Sequence, residues 1–341
     1  MSKKINIKEL AKIAGVAQST ISRALNDKDG ISIETKERIR KLAQEYGYKP
    51  NITAKRLVTK KSNTIGVFIL AREKIDLEES TAFKYVEIIL NEIKKKDYDL
   101  VLFSVDEDKP GVSYLRMCEE RAVDGAIFIG FGEVDEHLEE IKNFEIPVVF
   151  IERNIKSKLS SIITTDNRKA MKIGIEYLIR IGHKEIGFLK GTKNSEVAKL
   201  RELYFKEIMK EKELLKEEYI FDSDFSIESG YNVAAKLLEL DKMPTAIFTS
   251  SDLSAIGLIR GLKDCQIDVP NDISILGFDG FKISNFTIPR LTTIEQDFYS
   301  LGINAINILF DMIENKIVSK EIIKIPPKLI IRESTKPLLT D

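Results

Sequence analysis

Two α/β subdomains with doubly wound parallel sheets, preceded by a small helix-turn-helix domain, are the fold this sequence predicts. Three observations carry that expectation. From residue 63 onward, near-continuous apolar runs alternate with helical stretches over about 280 residues, as strands buried on both faces of a parallel sheet require. The first 62 residues instead hold two short amphipathic helices joined by a tight turn. Net positive charge is confined to that first segment: residues 1–62 carry 15 Lys and Arg against 6 Asp and Glu, and the remainder carries 38 against 48, within a chain of net charge -1.

Within the basic segment each helix has its own local cause. Asn6 followed by Glu9 forms a capping box, and Ile7, Leu10, Ala11 and Ala14 then recur at helical spacing until Gly15. After the Gly15-Val16-Ala17 turn, Ile21, Ala24 and Leu25 make a second apolar stripe, with Gln18, Ser19, Ser22 and Arg23 on the opposite face. The second helix of such a pair enters the DNA major groove by its N-terminal end, where Gln and Arg bond base edges and small hydroxyls reach phosphates. A third helix is expected from Ser32, with Ile39, Leu42, Ala43 and Tyr46 facing inward. The bland alternative, a small helical bundle with a solvated Lys-rich face, explains the stripes but not the polar face or the charge asymmetry.

In the acidic remainder, strands are expected at Thr64–Leu70, Leu100–Phe103, Gly125–Ile129, Pro147–Ile151, Ile186–Leu189, Ala246–Phe248 and Ile273–Phe278. Ligands in open α/β sheets sit beyond the carboxyl ends of the strands, so a cleft between the subdomains is the expected site. Catalysis is not expected: there are two His and two Cys, without a Gly-rich phosphate loop, metal triad or nucleophile elbow. His137 falls in an acidic, solvated helical stretch, and His183, after Gly182 at a helix end, reads as a structural C-cap. Cys118 and Cys265 are too few for a disulfide framework, and neither signal peptide nor membrane span is visible. A cytoplasmic, reducing compartment with no cofactor and no metal is the expectation.

At this point the residues resemble a family. Ile7-Lys8-Glu9-Leu10-Ala11, Gly15-Val16, Thr20-Ile21-Ser22-Arg23-Ala24-Leu25-Asn26, Thr35-Lys36-Glu37-Arg38-Ile39 and Tyr48-Lys49-Pro50-Asn51 are similar to the N-terminal domain of the lactose repressor and galactose repressor family of bacterial transcription regulators. The likeness continues through Asp166-Asn167, Gly182-His183, Ser229-Gly230-Tyr231, Pro244-Thr245-Ala246-Ile247-Phe248, Gly277-Phe278-Asp279, Leu291-Thr292-Thr293-Ile294 and Ile331-Arg332-Glu333-Ser334-Thr335. The resemblance implies a helix-turn-helix domain at 1–50, a hinge helix and linker at 51–62, and an effector-binding and dimerisation core at 63–341 resembling periplasmic sugar-binding proteins. Its N-subdomain is expected at about 63–163 and 294–322, and its C-subdomain at about 164–293 and 323–341.

The same resemblance implies which residues touch DNA: Asn6, Gln18, Ser19, Thr20, Ser22, Arg23 and Asn26 in the helical domain, and Asn51, Ala54, Lys55 and Leu57 in the hinge. A helix of seven or eight residues is marginal in water, so the hinge is expected to order on DNA. Leu57 is placed as a wedge between base steps, with Ala54 allowing close approach. Read without the family, Leu57 is equally a linker residue. Two departures bear on the transfer. Ala17 stands where relatives have a capping hydroxyl, a loss of roughly 1 kcal/mol, and Lys55 offers a point charge where relatives have the planar fork of Arg.

In the core the resemblance points to Glu152, Arg201, Phe225, Ser251 and Asp279 around the effector, and Tyr204, in place of a family Gly, is expected to narrow the pocket. It implies a repressor of carbohydrate-utilisation genes released by a small sugar. The alternatives are a corepressor-dependent regulator with a nucleobase or sugar-phosphate ligand, and a sugar-binding module or sugar-modifying enzyme with a vestigial DNA domain. One recognition helix reads half a site, so a homodimer on pseudo-palindromic double-stranded operator DNA is expected. The nine residues after Arg332 hold no heptad repeat, so a C-terminal tetramerising coiled coil is not.

Overall fold

The computed structural model describes residues 5–25, 27, 29–48, 61–70, 81–105, 113–130, 136–153, 155, 157–193, 195–316 and 322–338, and it divides into two units, Met1–Ser62 and Asn63–Asp341. In the first unit α1 (Ile7–Ala14), α2 (Gln18–Leu25) and α3 (Ile33–Glu45) enclose a small core of Leu10, Ala11, Ala14, Ile21, Ala24, Ile39 and Ala43. The capping box is present: Asn6 Oδ1 accepts from the amides of Lys8 and Glu9, and Glu9 Oε2 accepts from the amide of Asn6. Gly15 ends α1 in the left-handed region, at φ 67°, where a side chain would be strained. Arg38 Nη2 donates to the Ala14 carbonyl, so α3 also satisfies the end of α1.

Tyr46 departs from expectation. It is the C-cap of α3 and 44 % exposed, and the half-buried Tyr48, two residues on and past the helix end, packs on this core instead. The helix ends at Glu45, so the 3.6-residue period does not carry to Tyr46. Asn26 and the hinge positions Asn51, Ala54, Lys55 and Leu57 lie outside the described residues.

The second unit runs β1 (Thr64–Leu70), α4 (Thr81–Lys94), β2 (Asp99–Val105), α5 (Tyr114–Arg121), β3 (Gly125–Ile129), a 3-10 helix (Glu136–Asn143), β4 (Val148–Ile151), β5 (Ser160–Thr165), α6 (Asn167–Arg180), β6 (Ile186–Leu189), α7 (Glu196–Glu211), β7 (Ile220–Phe221), α8 (Ile227–Leu238), β8 (Ala246–Thr249), α9 (Asp252–Asp264), β9 (Ser274–Asp279), a 3-10 turn (Lys282–Asn285), β10 (Thr292–Glu295), α10 (Phe298–Ile313), β11 (Ile322–Ile325) and β12 (Lys328–Ile330). Among the described residues these strands form two six-stranded sheets, ordered β11-β5-β4-β3-β1-β2 and β12-β10-β9-β8-β6-β7. Every pairing is parallel except β10 with β12.

The continuous apolar character of the strands follows from burial on both faces. In the first sheet Ile65, Val67, Ile127 and Val149 pack under α4 and α10, while Phe68, Phe103, Phe128 and Phe150 face α5 and the 3-10 helix. Those four Phe stand in register across adjacent strands, with Phe68 centroids 4.4 Å from Phe103 and 4.5 Å from Phe128. The second sheet is covered by α6 and α7 on one face and by α8 and α9 on the other. Helices α8 and α9 cross at backbone contact: a Cβ on Gly257 would overlap the Ile227 carbonyl, and one on Gly230 would overlap that of Ser254.

The chain crosses between the sheets after Thr165, at Gln296 and at Pro326. β10 therefore completes the second sheet through Glu295 and β11 the first through Ile325, two or three residues beyond the expected boundaries at 294 and 322. A crossover begins only where the last ladder bond of a strand has been made, and hydropathy does not mark that point in strands of four residues. His183 holds the helix end as expected and does more: its amide donates to the Leu178 carbonyl at 3.0 Å, next to Gly182 at φ 99°, whose amide donates to Ile179, which closes α6. Its ring is buried, with Nδ1 3.0 Å from Thr245 Oγ1 and Nε2 3.1 Å from the Lys336 carbonyl, so it also ties the C-terminal segment to the second subdomain. No helix among the described residues is long and apolar enough to cross a membrane.

Candidate functional site

On α2 the buried residues are Ile21 and Ala24, which turns Gln18, Ser19, Ser22 and Arg23 outward and leaves Thr20 half-buried. Ala17 supplies no side-chain cap; its carbonyl accepts from the Thr20 and Ile21 amides, as at any helix start. Asn6 is exposed with its amide oxygen committed to the α1 cap, which leaves its Nδ2 for an outside partner. The first unit thus presents a polar helix face of hydroxyls, an amide and a guanidinium on a rigid three-helix base.

In the second unit the carboxyl ends of the strands of both sheets converge on a cavity of about 310 Å³. Five of its lining residues are Glu152, Arg201, Phe225, Ser251 and Asp279, brought together from positions 127 residues apart in the chain. Arg201, on the second turn of α7, is 3 % exposed. Its Nε donates to Asn167 Oδ1 at 3.0 Å, Nη1 donates to the Ser250 carbonyl at 2.7 Å and lies 3.8 Å from Asp279 Oδ1, and the guanidinium stacks 3.6 Å from the Phe278 ring centroid. Asp279 ends β9 with φ 118°, a strained conformation that turns its carboxylate back toward Arg201. Phe225, also at positive φ, lays its ring over Gly191, where a Cβ would collide with it. Ser251 caps α9 through the Leu253 amide. Tyr204 does not line the cavity; it packs beside the second core and faces Arg168. On α7 it lies three residues past Arg201, which turns it about 60° farther round the helix from the direction the cavity lies in.

A hydrogen-bond chain crosses between the subdomains behind these residues. Glu152 accepts from Thr164 Oγ1 and from the Thr165 amide, both at 2.8 Å, and lies 2.9 Å from Thr165 Oγ1. Thr165 Oγ1 is 2.5 Å from Gln296 Oε1, and Gln296 Nε2 donates to Asp279 Oδ1 at 2.7 Å. A second link joins Arg153, after β4, to Glu196, in the first turn of α7, at 3.6 Å. Neither Gln296 nor the Arg153–Glu196 pair was visible as a site in the sequence. The one available signal was that Gln296 follows directly on the Leu291-to-Ile294 motif and Glu295 at a strand end.

Burial pushes the Asp279 carboxyl from its ordinary 3.8 to about 7; Arg201 opposes the shift and the neighbouring carboxylate of Asp252 adds to it. Between those values the folded chain holds a proton that the unfolded chain has released. The stability this group contributes is therefore full below pH 4 or so and is lost as pH rises through about 7. Asp252, raised to about 6 by burial, acts in the same sense, and His183, lowered by burial, in the opposite one. The contribution of Asp279 is isolated by Asp279→Asn: the unfolding free energy of the wild type relative to the variant is expected to fall from about pH 4 to about pH 7 and to level off above it. A difference independent of pH in chemical denaturation would show that Asp279 is ionised throughout.

Fold and site together define a class: a chain with a helix-turn-helix unit and a core whose two α/β subdomains border a small cavity. Residues 6–51 match the model for bacterial regulatory proteins of the lacI family, and residues 175–335 match the periplasmic binding protein-like domain. Catabolite control protein A of Priestia megaterium is 31 % identical over 97 % of this chain and 99 % of its own length. The crystal structure of the lac repressor dimer bound to operator and the anti-inducer ONPF superposes with a TM-score of 0.84 at 25 % identity, covering 98 % of this chain and 100 % of that one. A LacI family regulator from Enterococcus faecium with bound ribose gives a TM-score of 0.67 at 25 % identity over 81 % of this chain and 100 % of that one. The chain belongs to the lacI family of bacterial regulatory proteins, and it is a DNA-binding transcriptional repressor controlled by a small-molecule ligand.

Proposed function

We propose that the ligand is a small neutral sugar, that it occupies the cavity around Arg201, Phe225 and Asp279, and that its binding releases a cytoplasmic homodimer from a pseudo-palindromic operator controlling carbohydrate utilisation. The observation that carries this reading is the pairing of one buried guanidinium with one carboxylate against an aromatic wall. A sugar ring stacks on Phe225 while its hydroxyls donate to the carboxylate and accept from the guanidinium. The charge balance among the described residues selects against anions: Glu152, Glu196 and Asp279 line the cavity, and Arg201 is the one cation among the described residues that line it, which disfavours a sugar phosphate. The ribose bound to the Enterococcus faecium relative is of the same chemical class. Release requires only that the sugar favour one relative orientation of the subdomains, a coupling commonly of about 1 to 3 kcal/mol.

The test is a thermal-shift screen of the full chain with D-ribose, D-glucose, D-galactose, cellobiose, glucose 6-phosphate and hypoxanthine, followed by titration of the chain onto DNA selected from a random pool. Stabilisation by a neutral sugar that also loosens the selected DNA supports the reading; stabilisation by the phosphate or the base alone, or tighter DNA binding, overturns it. On the DNA side we assign base reading to Gln18 and Arg23, phosphate contacts to Ser19, Thr20 and Ser22, further DNA contacts to Asn6 and Asn26, and minor-groove contacts to Asn51, Ala54, Lys55 and Leu57. Arg23→Ala is expected to weaken selected over random DNA by roughly 1–3 kcal/mol per half-site without unfolding the domain, because the side chain is exposed. An unchanged preference would remove Arg23 from the reading face.

A further inference from the structure

We infer that Lys84 is a positioning residue that holds Phe281, an aromatic wall of the ligand cavity, against the opposite subdomain. Lys84 lies on α4, in the first subdomain, and does not line the cavity; Phe281 follows β9 of the second subdomain and does. The Lys84 ammonium sits 3.5 Å from the Phe281 ring centroid and 4.8 Å from that of Phe298, the first residue of α10, which returns the chain to the first subdomain. Phe281 and Phe298 are 6.1 Å apart, and Phe298 meets Tyr85, another cavity residue, edge-on at 5.4 Å. Phe281 also faces a second cleft on its far side, in which Lys84, Lys282 and Glu295 lie, so it is a thin partition with Lys84 behind it.

Two features make this contact consequential. The half-buried ammonium makes no ion pair within 4.0 Å among the described residues, so the two ring faces are its nearest partners, with the carboxylates of Asp279 and Asp252 acting on it from farther away; a cation over aromatic rings gains most where water is partly excluded. The backbone of Phe281 is held from the second subdomain, its amide donating at 2.8 Å to Asp252, which also accepts from Ser284 and Thr293, so opening of this segment must release both attachments. Asp252 therefore ties the partition to the second subdomain, and Lys84 ties it to the first. Rotation of the subdomains must break one attachment, and the cation–ring contact, with no hydrogen bond, is the weaker.

The inference rests on the cavity being the ligand site, yet its test needs no ligand, so the sugar reading and this one fail separately. Hydrogen exchange is followed by mass spectrometry in the ligand-free full chain, at the hydrogen-bonded amides of Phe281, Ser284 and Phe286 and, as a control, at Leu301–Leu309 inside α10. Lys84→Met, which keeps the stem and removes the charge, is expected to exchange about ten-fold faster at 281–286 with the control unchanged, and Lys84→Arg is expected to restore wild-type protection. Wild-type protection in Lys84→Met, an equal rise in the control, or failure of Lys84→Arg to rescue would overturn the assignment. Should Lys84→Met not fold, Lys84→Gln is read by the same comparison.

Discussion

Arg201→Ala is expected to lower affinity for the sugar found by screening by a hundredfold or more while leaving operator binding intact, producing a repressor that no longer switches. The magnitude follows from the loss of charge-assisted bonds of about 1.5–3 kcal/mol each in a water-poor cavity. The fold survives because the charge left behind is easily neutralised: Asp279 already titrates near 7, and without Arg201 it takes up a proton instead of remaining a buried anion. Arg201→Lys separates charge from shape, since an ammonium cannot reach Asn167, the Ser250 carbonyl and the ligand from one plane. Isothermal titration of both variants, alongside DNA titration, is the check. Wild-type sugar affinity in Arg201→Ala would remove the cavity from the proposed function.

Gly257→Ala is expected to destabilise the core unit by roughly 3 kcal/mol, the upper range for overpacking, and to lower its melting temperature by roughly 5–10 °C. The added methyl group has no room, because it would overlap the Ile227 carbonyl of α8, a backbone atom that no rotamer change can move. Gly230 and Gly261 meet backbone of the opposite helix in the same way, so the strain cannot be relieved by sliding the helices. The ligand cavity suffers as well, since α9 carries Ser251 and Asp252 at its start. Calorimetry of the variant measures the effect, and a melting temperature within about one degree of wild type would mean that the crossing is looser than described.

The residues that were legible in the sequence share one property: their roles are declared by near neighbours. Asn6 and Glu9 cap α1 across three positions. Arg201, Phe225, Ser251 and Asp279 were named through the family resemblance, each from a short local motif, and the structure brings all four to one cavity. Gln296 was not legible, since its partners Thr165 and Asp279 lie 131 and 17 residues away. Arg153 and Glu196 read as ordinary surface charges, and Lys84 as one of two lysines on an amphipathic helix. Tyr46 was misjudged because helical periodicity does not mark the end of the helix, and Tyr204 because a family Gly at that position does not say which way a larger side chain turns.

By itself the sequence determined the helix caps, the two-faced burial of the strands, the separation of a basic domain from an acidic core, and the polar face of α2. These follow from hydrogen bonds and side-chain periodicities that act within a few residues. Tertiary structure alone decided the order of strands in the two sheets, the points at which the chain crosses between them, and the meeting of Arg201 with Asp279, of Gln296 with Thr165 and of Lys84 with Phe281. It also decided the protonation of Asp279, because the cost of a charge depends on how much water the assembled fold excludes, and no local pattern records that.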